Sequence, residues 1–162
     1  MKTNKLTLIY LALLVSLIGA FLASPSASAT LQASVPIIEP KTLDLDNPDT
    51  VIVHVKLNDT SGNSIVNQIN ASTVLLENAI PPTNTYISKQ SEFIAEFDGY
   101  TVAAHISAKI SHMGITAPKP WVPINIPLKI TGLLKNEYGS TPWEGTGKIK
   151  VYITGTSPPP PP

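Results

Sequence analysis

Three stretches of this chain alternate apolar and other side chains with a period of two, and that pattern commits it to β-structure. Thr50 to Leu57, TVIVHVKL, sets Val51, Val53 and Val55 on one side and His54 on the other. Ile124 to Leu134 carries Leu128, Ile130 and then Leu133, and Gly147 to Thr154, GKIKVYIT, carries Ile149, Val151 and Ile153. Successive strand residues point to opposite faces, so each stretch offers one face to a core and one to solvent. The last two, with KNEYGSTPWEGT between them as a connecting turn, predict a closing hairpin.

Shorter signals fill in the rest. Val35 to Ile38 and Thr42 to Leu45 read as two extended pieces split by Pro40, and Pro36 limits the first to a sheet edge. Asn47-Pro48-Asp49 and Asp59 to Ser64 are turn chemistry. Ser72 to Leu76 and Glu92 to Phe97 predict further strands, the second closed by Asp98-Gly99, while Pro81-Pro82 ends whatever follows the first. Tyr100 to Ile110 fits both a period of two and helical spacing, and its alanines favour a short helix. Met113 to Pro123, with one glycine and three prolines, reads as a loop. Many short strands with one helix predict an all-β fold, an antiparallel β-sandwich of immunoglobulin-like topology with the helix at its edge, or failing that a barrel. No internal repeat is visible, so one module is expected.

The front end gives an address. Lys2 and Lys5 precede a nearly unbroken apolar run from Leu6 to Leu22, and Ala27-Ser28-Ala29 supplies small residues for cleavage. That is the anatomy of a secretory signal over residues 1–29, with the mature chain starting near Thr30; the competing reading is a retained membrane anchor. About 130 residues follow, enough for one core. The expected layout is a flexible segment over 30–34, the sandwich over 35–154 and a proline-rich tail over 155–162.

Composition excludes several partners and chemistries. Nine lysines and eleven acids follow residue 29, a formal charge of −2, and the chain has no arginine. No basic footprint for nucleic acid can be assembled from that set. With no cysteine there are no disulfides, thiol nucleophiles or cysteine zinc sites, so the domain depends on its core. Asn58-Asp59-Thr60 and Asn70-Ala71-Ser72 match the N-glycosylation acceptor pattern and imply exposed loops.

The succession IIEPKTLDL, STVLLEN, AEFDGYTV and LKITGLLKNEYGSTPWEGTGKIKVYI resembles immunoglobulin-like modules of secreted and cell-surface archaeal proteins. The likeness spans roughly Val35 to Thr154 and rests on fold-forming residues and turns. The chain departs from the pattern in a longer Ser111 to Pro123 stretch and in having Trp143 where phenylalanine is more usual. The resemblance implies a structural or adhesive surface module without a known active site.

His105 and His112 stand seven apart and share a face only if that segment is helical throughout; His54 lies on a strand. Asp44, Asp46 and Asp49 are oxygen donors at close spacing, but without the glycine and glutamate of a calcium loop they read as turn formers around Pro48. No nucleophile elbow, phosphate loop or flagged carboxylate pair occurs, so no enzymatic activity and no cofactor is expected. Trp121 and Trp143, with Tyr138 and Tyr86, are the candidates for recognition, as a stacking platform for sugar rings; the bland alternative is that each indole plugs one end of the sandwich.

Pro158 to Pro162 are expected to form an extended polyproline rod after Gly155-Thr156-Ser157, a spacer to hold the module off from a surface or to lead to a further module. The expected function is a non-enzymatic secreted or cell-envelope structural or adhesion module, with envelope or extracellular proteins as partners and the membrane met only through the transient signal segment. The alternative is a secreted carbohydrate-binding module whose partners are glycans.

Overall fold

Val51, Val53 and Val55 are fully buried, as their alternation requires, while Ile52 and His54 between them stay partly open. A computed structural model describes residues 30–114, 122–135 and 140–153, and around this valine strand those residues build two packed sheets. In chain order the strands are β1 (Leu31–Gln32), β2 (Ile37–Glu39), β3 (Thr42–Asp44), β4 (Val51–Val55), β5 (Ile69–Leu76), β6 (Asn84–Ile87), β7 (Phe93–Phe97), β8 (Ile124–Leu134) and β9 (Pro142–Tyr152). One helix, α1 (Gly99–His112), lies between β7 and β8, and a single 3-10 turn, Val66–Gln68, precedes β5.

The first sheet runs β2-β4-β7-β6 and is antiparallel throughout. The second runs β9-β8-β5, also antiparallel, and β1 and β3 both lie parallel to β9 on its far side. They meet β9 at different heights: Leu31 stands opposite Trp143, whereas Thr42 to Asp44 stand opposite Lys150 to Tyr152. The intervening chain crosses to the other sheet as β2 and returns at Pro40, whose peptide bond with Glu39 is cis. Because β9 is eleven residues long, about 33 Å at strand rise, Leu31 and Tyr152 lie at opposite ends of the sandwich.

Inward-facing residues of both sheets fuse into one core, including Leu43, Leu57, Leu76, Phe97, Ile126, Leu128, Ile130, Ile149 and Trp143. Each such aliphatic side chain contributes about 1.5–3 kcal/mol on leaving water. The helix adds a stripe at spacing four, with Val102, Ile106 and Ile110 all buried. Asp98 caps it: its Oδ1 accepts from the Thr101 backbone N–H at 2.8 Å and from the Thr101 hydroxyl at 2.7 Å. The N-terminus of α1 sits directly beneath the Pro48–Asp49 turn, and a β-carbon on Gly99 would collide with the Asp49 carbonyl. Glycine is there for room.

The mostly β architecture of two packed sheets and the helix after Asp98 agree with the sequence, and several boundaries are corrected. Residues 30–34, read as a flexible segment, contain β1 and donate the Ala33 N–H to the Glu144 carbonyl at 2.7 Å. β6 was not anticipated at all. β9 begins at Pro142 and not at Gly147, so most of the supposed turn around Trp143 is strand. β5 starts three residues before Ser72 and is bulged between Asn70 and Leu75, where the Thr73 hydroxyl accepts the Leu133 N–H at 2.9 Å in place of a ladder bond. Met113 to Pro123 and the tail from Thr154 fall largely outside the described residues.

Candidate functional site

The recognition candidates separate sharply. Trp143 is 1% exposed, part of the core, with its ring stacked on Gly132 of the neighbouring strand. Neither face of that indole is presented for a sugar ring, so the expected stacking role is corrected to a packing one. The register explains it: Trp143 shares the inward side of β9 with Ile149 and Val151. Trp121 and Tyr138 lie outside the described residues. Tyr86 is exposed on the outer face of β6, its hydroxyl pKa raised by partial burial and by the nearby Glu96 carboxylate.

His105 and His112 do share a helical surface, because α1 continues through His112. Together with Ala108, Lys109 and Met113 they line a shallow cleft of about 440 Å³ floored by Glu77. Glu77 is the organising residue. Its side chain is 10% exposed, its Oε2 accepts from Lys109 Nζ at 2.6 Å, and its Oε1 accepts from the Lys129 backbone N–H at 2.6 Å. The Glu77 N–H in turn donates to the Lys129 carbonyl at 2.7 Å, and Lys109 Nζ also donates to the Pro127 carbonyl at 2.8 Å. One carboxylate thereby joins the turn after β5, the helix and β8. His105 stands at the margin, with Nε2 3.7 Å from the same Oε2. The arrangement uses the carboxylate for tethering, with its oxygens already committed to donors.

The turn that aims Glu77 is itself unusual. Glu77 and Asn78 both have positive φ, 53° and 59°, and the Leu76 carbonyl accepts from Ala79 N–H at 3.1 Å. Two such residues form a type I′ turn, which asparagine tolerates and glutamate does not favour. The bonds made by the Glu77 side chain offset that local cost.

A second ionic group sits on the outer face of the first sheet. Glu92, whose side chain is 9% exposed, lies 3.1 Å from Lys56 Nζ and 3.2 Å from His54 Nδ1. The hydrogen bond from Lys56, followed by that from His54, holds the Glu92 carboxyl below its ordinary pKa. His54 Nε2 is buried without a hydrogen-bond partner, 3.8 Å from Glu39 Oε2. At the calcium candidates, Asp44 Oδ1 accepts the Asp46 N–H at 3.0 Å, which is turn formation, and Asp49 packs its carbonyl against Gly99. Among the described residues no group of three His, Cys, Asp or Glu is placed to hold a metal ion.

Of the two acceptor sequences, Asn58 and Thr60 are exposed in a loop, whereas Asn70 belongs to β5 and its Oδ1 accepts from the Ser72 hydroxyl at 2.8 Å. The Asn58 loop is internally hydrogen-bonded: Asp59 accepts from the N–H groups of Ser61 and Asn63, each at 2.8 Å, and its pKa is lowered chiefly by the Asn63 bonds.

Sequence reasoning singled out neither Glu77 nor Glu92. The signal available for the first was Glu-Asn directly after the apolar STVLL, a turn dipeptide in which the acid would have to face the protein. No helix among the described residues is long and apolar enough to cross a membrane. No family model matches the chain, and no curated protein or solved structure matches it either.

Proposed function

We propose that the chain is a non-enzymatic structural or adhesion module of the secreted or cell-envelope fraction, with immunoglobulin-like strand connectivity. The connectivity is supported by the two strand orders, β2-β4-β7-β6 against β9-β8-β5, which correspond to the four-strand and three-strand sheets of that fold. A first strand divided between the sheets, antiparallel to β4 in one and parallel to β9 in the other, supports it further.

The observation that carries the display role is the placement of Leu31 and Tyr152 at opposite ends of the sandwich. A module threaded end to end in this way transmits position along its long axis, and the five prolines that follow it in the sequence suit a spacer role. The ionic groups also favour a structural role, since Glu77 and Glu92 are each occupied by donors from other elements. The apolar N-terminal stretch supplies the route to the exterior.

The test is export. The chain is expressed with its own N-terminus in a secreting host, and the product outside the cell is identified by mass and N-terminal sequencing. A product beginning near Thr30 is expected. Retention of the intact chain in the cytoplasm would remove the proposal.

A further inference from the structure

The parallel pairing of β1 and β3 leaves a notch in the side of β9. β1 covers Trp143 and Glu144, β3 covers Lys150 to Tyr152, and no strand pairs with the stretch between them on that side. The main chain there still points outward. In an antiparallel ladder successive residues direct their N–H and C=O alternately to one neighbour and the other. The Glu144 carbonyl accepts from Ala33 and the Lys150 N–H donates to the Lys41 carbonyl, both on the side away from β8. Thr146 and Lys148, in the same alternation, therefore turn their N–H and C=O groups into the notch. Lys148 and Pro127 face each other as a non-hydrogen-bonded pair of the β8–β9 ladder, so the missing proline N–H costs that ladder nothing.

The walls of the notch have a consistent chemistry. Its floor is Val35, Pro36, Ile37 and Ile38, with Val35 79% and Ile37 52% exposed, unusual values for β-branched side chains. Gly145 and Gly147 let this segment approach β9, since a β-carbon on either would meet Pro36 or Ile38 at 2.8 Å. Lys41, Lys148 and Lys150 line its rim and no carboxylate does. Among the described residues these three lysines make no ion pair, whereas Lys56, Lys109 and Lys129 are each held by a glutamate. The groove encloses about 620 Å³.

We infer that this notch is a binding site for an extended acidic peptide segment of a partner protein, added as a short strand beside β9 between β1 and β3. Main-chain bonds to Thr146 and Lys148 supply the pairing, as in other cases where a sheet edge accepts a strand. Alternating side chains of the segment meet the two walls: carboxylates reach the three lysines, and apolar residues between them cover Val35 and Ile37. The recognised pattern is acid, apolar, acid. The inference goes beyond the display role and is independent of where the module is displayed.

The test uses the purified chain and two labelled peptides, Glu-Val-Glu-Val-Glu and Lys-Val-Lys-Val-Lys, followed by fluorescence anisotropy and by amide chemical shifts. The acidic peptide is expected to bind, more weakly as salt is raised, and to shift the Thr146 and Lys148 amides; the basic peptide is expected not to bind. Replacing Lys41, Lys148 and Lys150 together by glutamine weakens binding by about tenfold or more. Thr146→Pro removes one notch N–H without touching the ladder to β8, and it weakens binding while all three lysines remain. Circular dichroism establishes that each variant is folded. If the acidic peptide fails to bind at low salt, or binds equally well to both variants, the site is refuted. Lysine-dependent binding of a sulfated polysaccharide without binding of the acidic peptide overturns it in favour of a general polyanion surface.

Discussion

A β-carbon placed on Gly132 would stand 2.8 Å from Cζ2 of Trp143 and 2.9 Å from its Nε1. The two residues are direct cross-strand partners on β8 and β9, and both face inward. The indole thus occupies the volume that any side chain at position 132 would need. Gly132→Ala is predicted to cost about 2 kcal/mol, the range for overfilling a packed core. Urea unfolding of both forms checks it, and a difference below about 0.5 kcal/mol would mean that the ring has room to move.

The same burial has an optical consequence. In a Trp121→Phe variant all tryptophan emission comes from Trp143, and it is expected to be blue-shifted and poorly quenched by acrylamide. Soluble polysaccharides should leave it unchanged. A red-shifted signal that responds to one of them would return Trp143 to the recognition surface and revive the carbohydrate-binding alternative.

How far the sequence could be read depended on whether the information was local. β4 and β8 were legible because each carries its own alternation, and Asp98 marks the start of α1 through a cap only three residues long. β1 was not legible: two residues, Leu31 and Gln32, are strand because of partners more than a hundred positions away. β6 is a short edge strand after two prolines, exposed along most of its length, so no periodicity marks it. The start of β9 was mistaken for a turn because Pro142, Gly145 and Gly147 are turn formers by composition. The two glycines are there because Pro36 and Ile38 pass close to them, which is visible only in three dimensions. The Glu77 tether was hidden for the same reason, since its two donors lie 32 and 52 residues further along.

That tether predicts a graded pair of variants. Glu77→Ala leaves the Lys129 N–H without its side-chain acceptor and the Lys109 ammonium with only the Pro127 carbonyl, at a cost of about 2–3 kcal/mol. Glu77→Gly loses the same bonds but relieves the positive φ of 53°, so it should be more stable than the alanine variant by about 1 kcal/mol. Chemical denaturation orders the three proteins. Amide exchange should show α1 opening more readily in both variants. Equal stability of the alanine and glycine forms would show that the turn carries no strain.

Acid should unfold this protein through its paired carboxylates. Glu92 is held below its ordinary pKa by Lys56 and then His54, Asp98 by Thr101, Glu144 by Lys129 and then Gln32, and Asp59 by Asn63. For a group whose folded-state pKa is depressed, the unfolded chain takes up the proton first as pH falls. Its contribution is therefore complete above the ordinary carboxylate range, about pH 4–5, and is lost as pH drops through the lowered folded value. The urea midpoint is expected to be flat from pH 7 to about 5 and then to fall steeply. Glu92→Gln cannot release a proton at that position, so its midpoint starts lower at neutral pH and declines less steeply below pH 5. Parallel curves for the two proteins would show that Glu92 is not among the groups that set acid stability, and that the ion pairs on the outer face of β4 and β7 do not hold the sheet together.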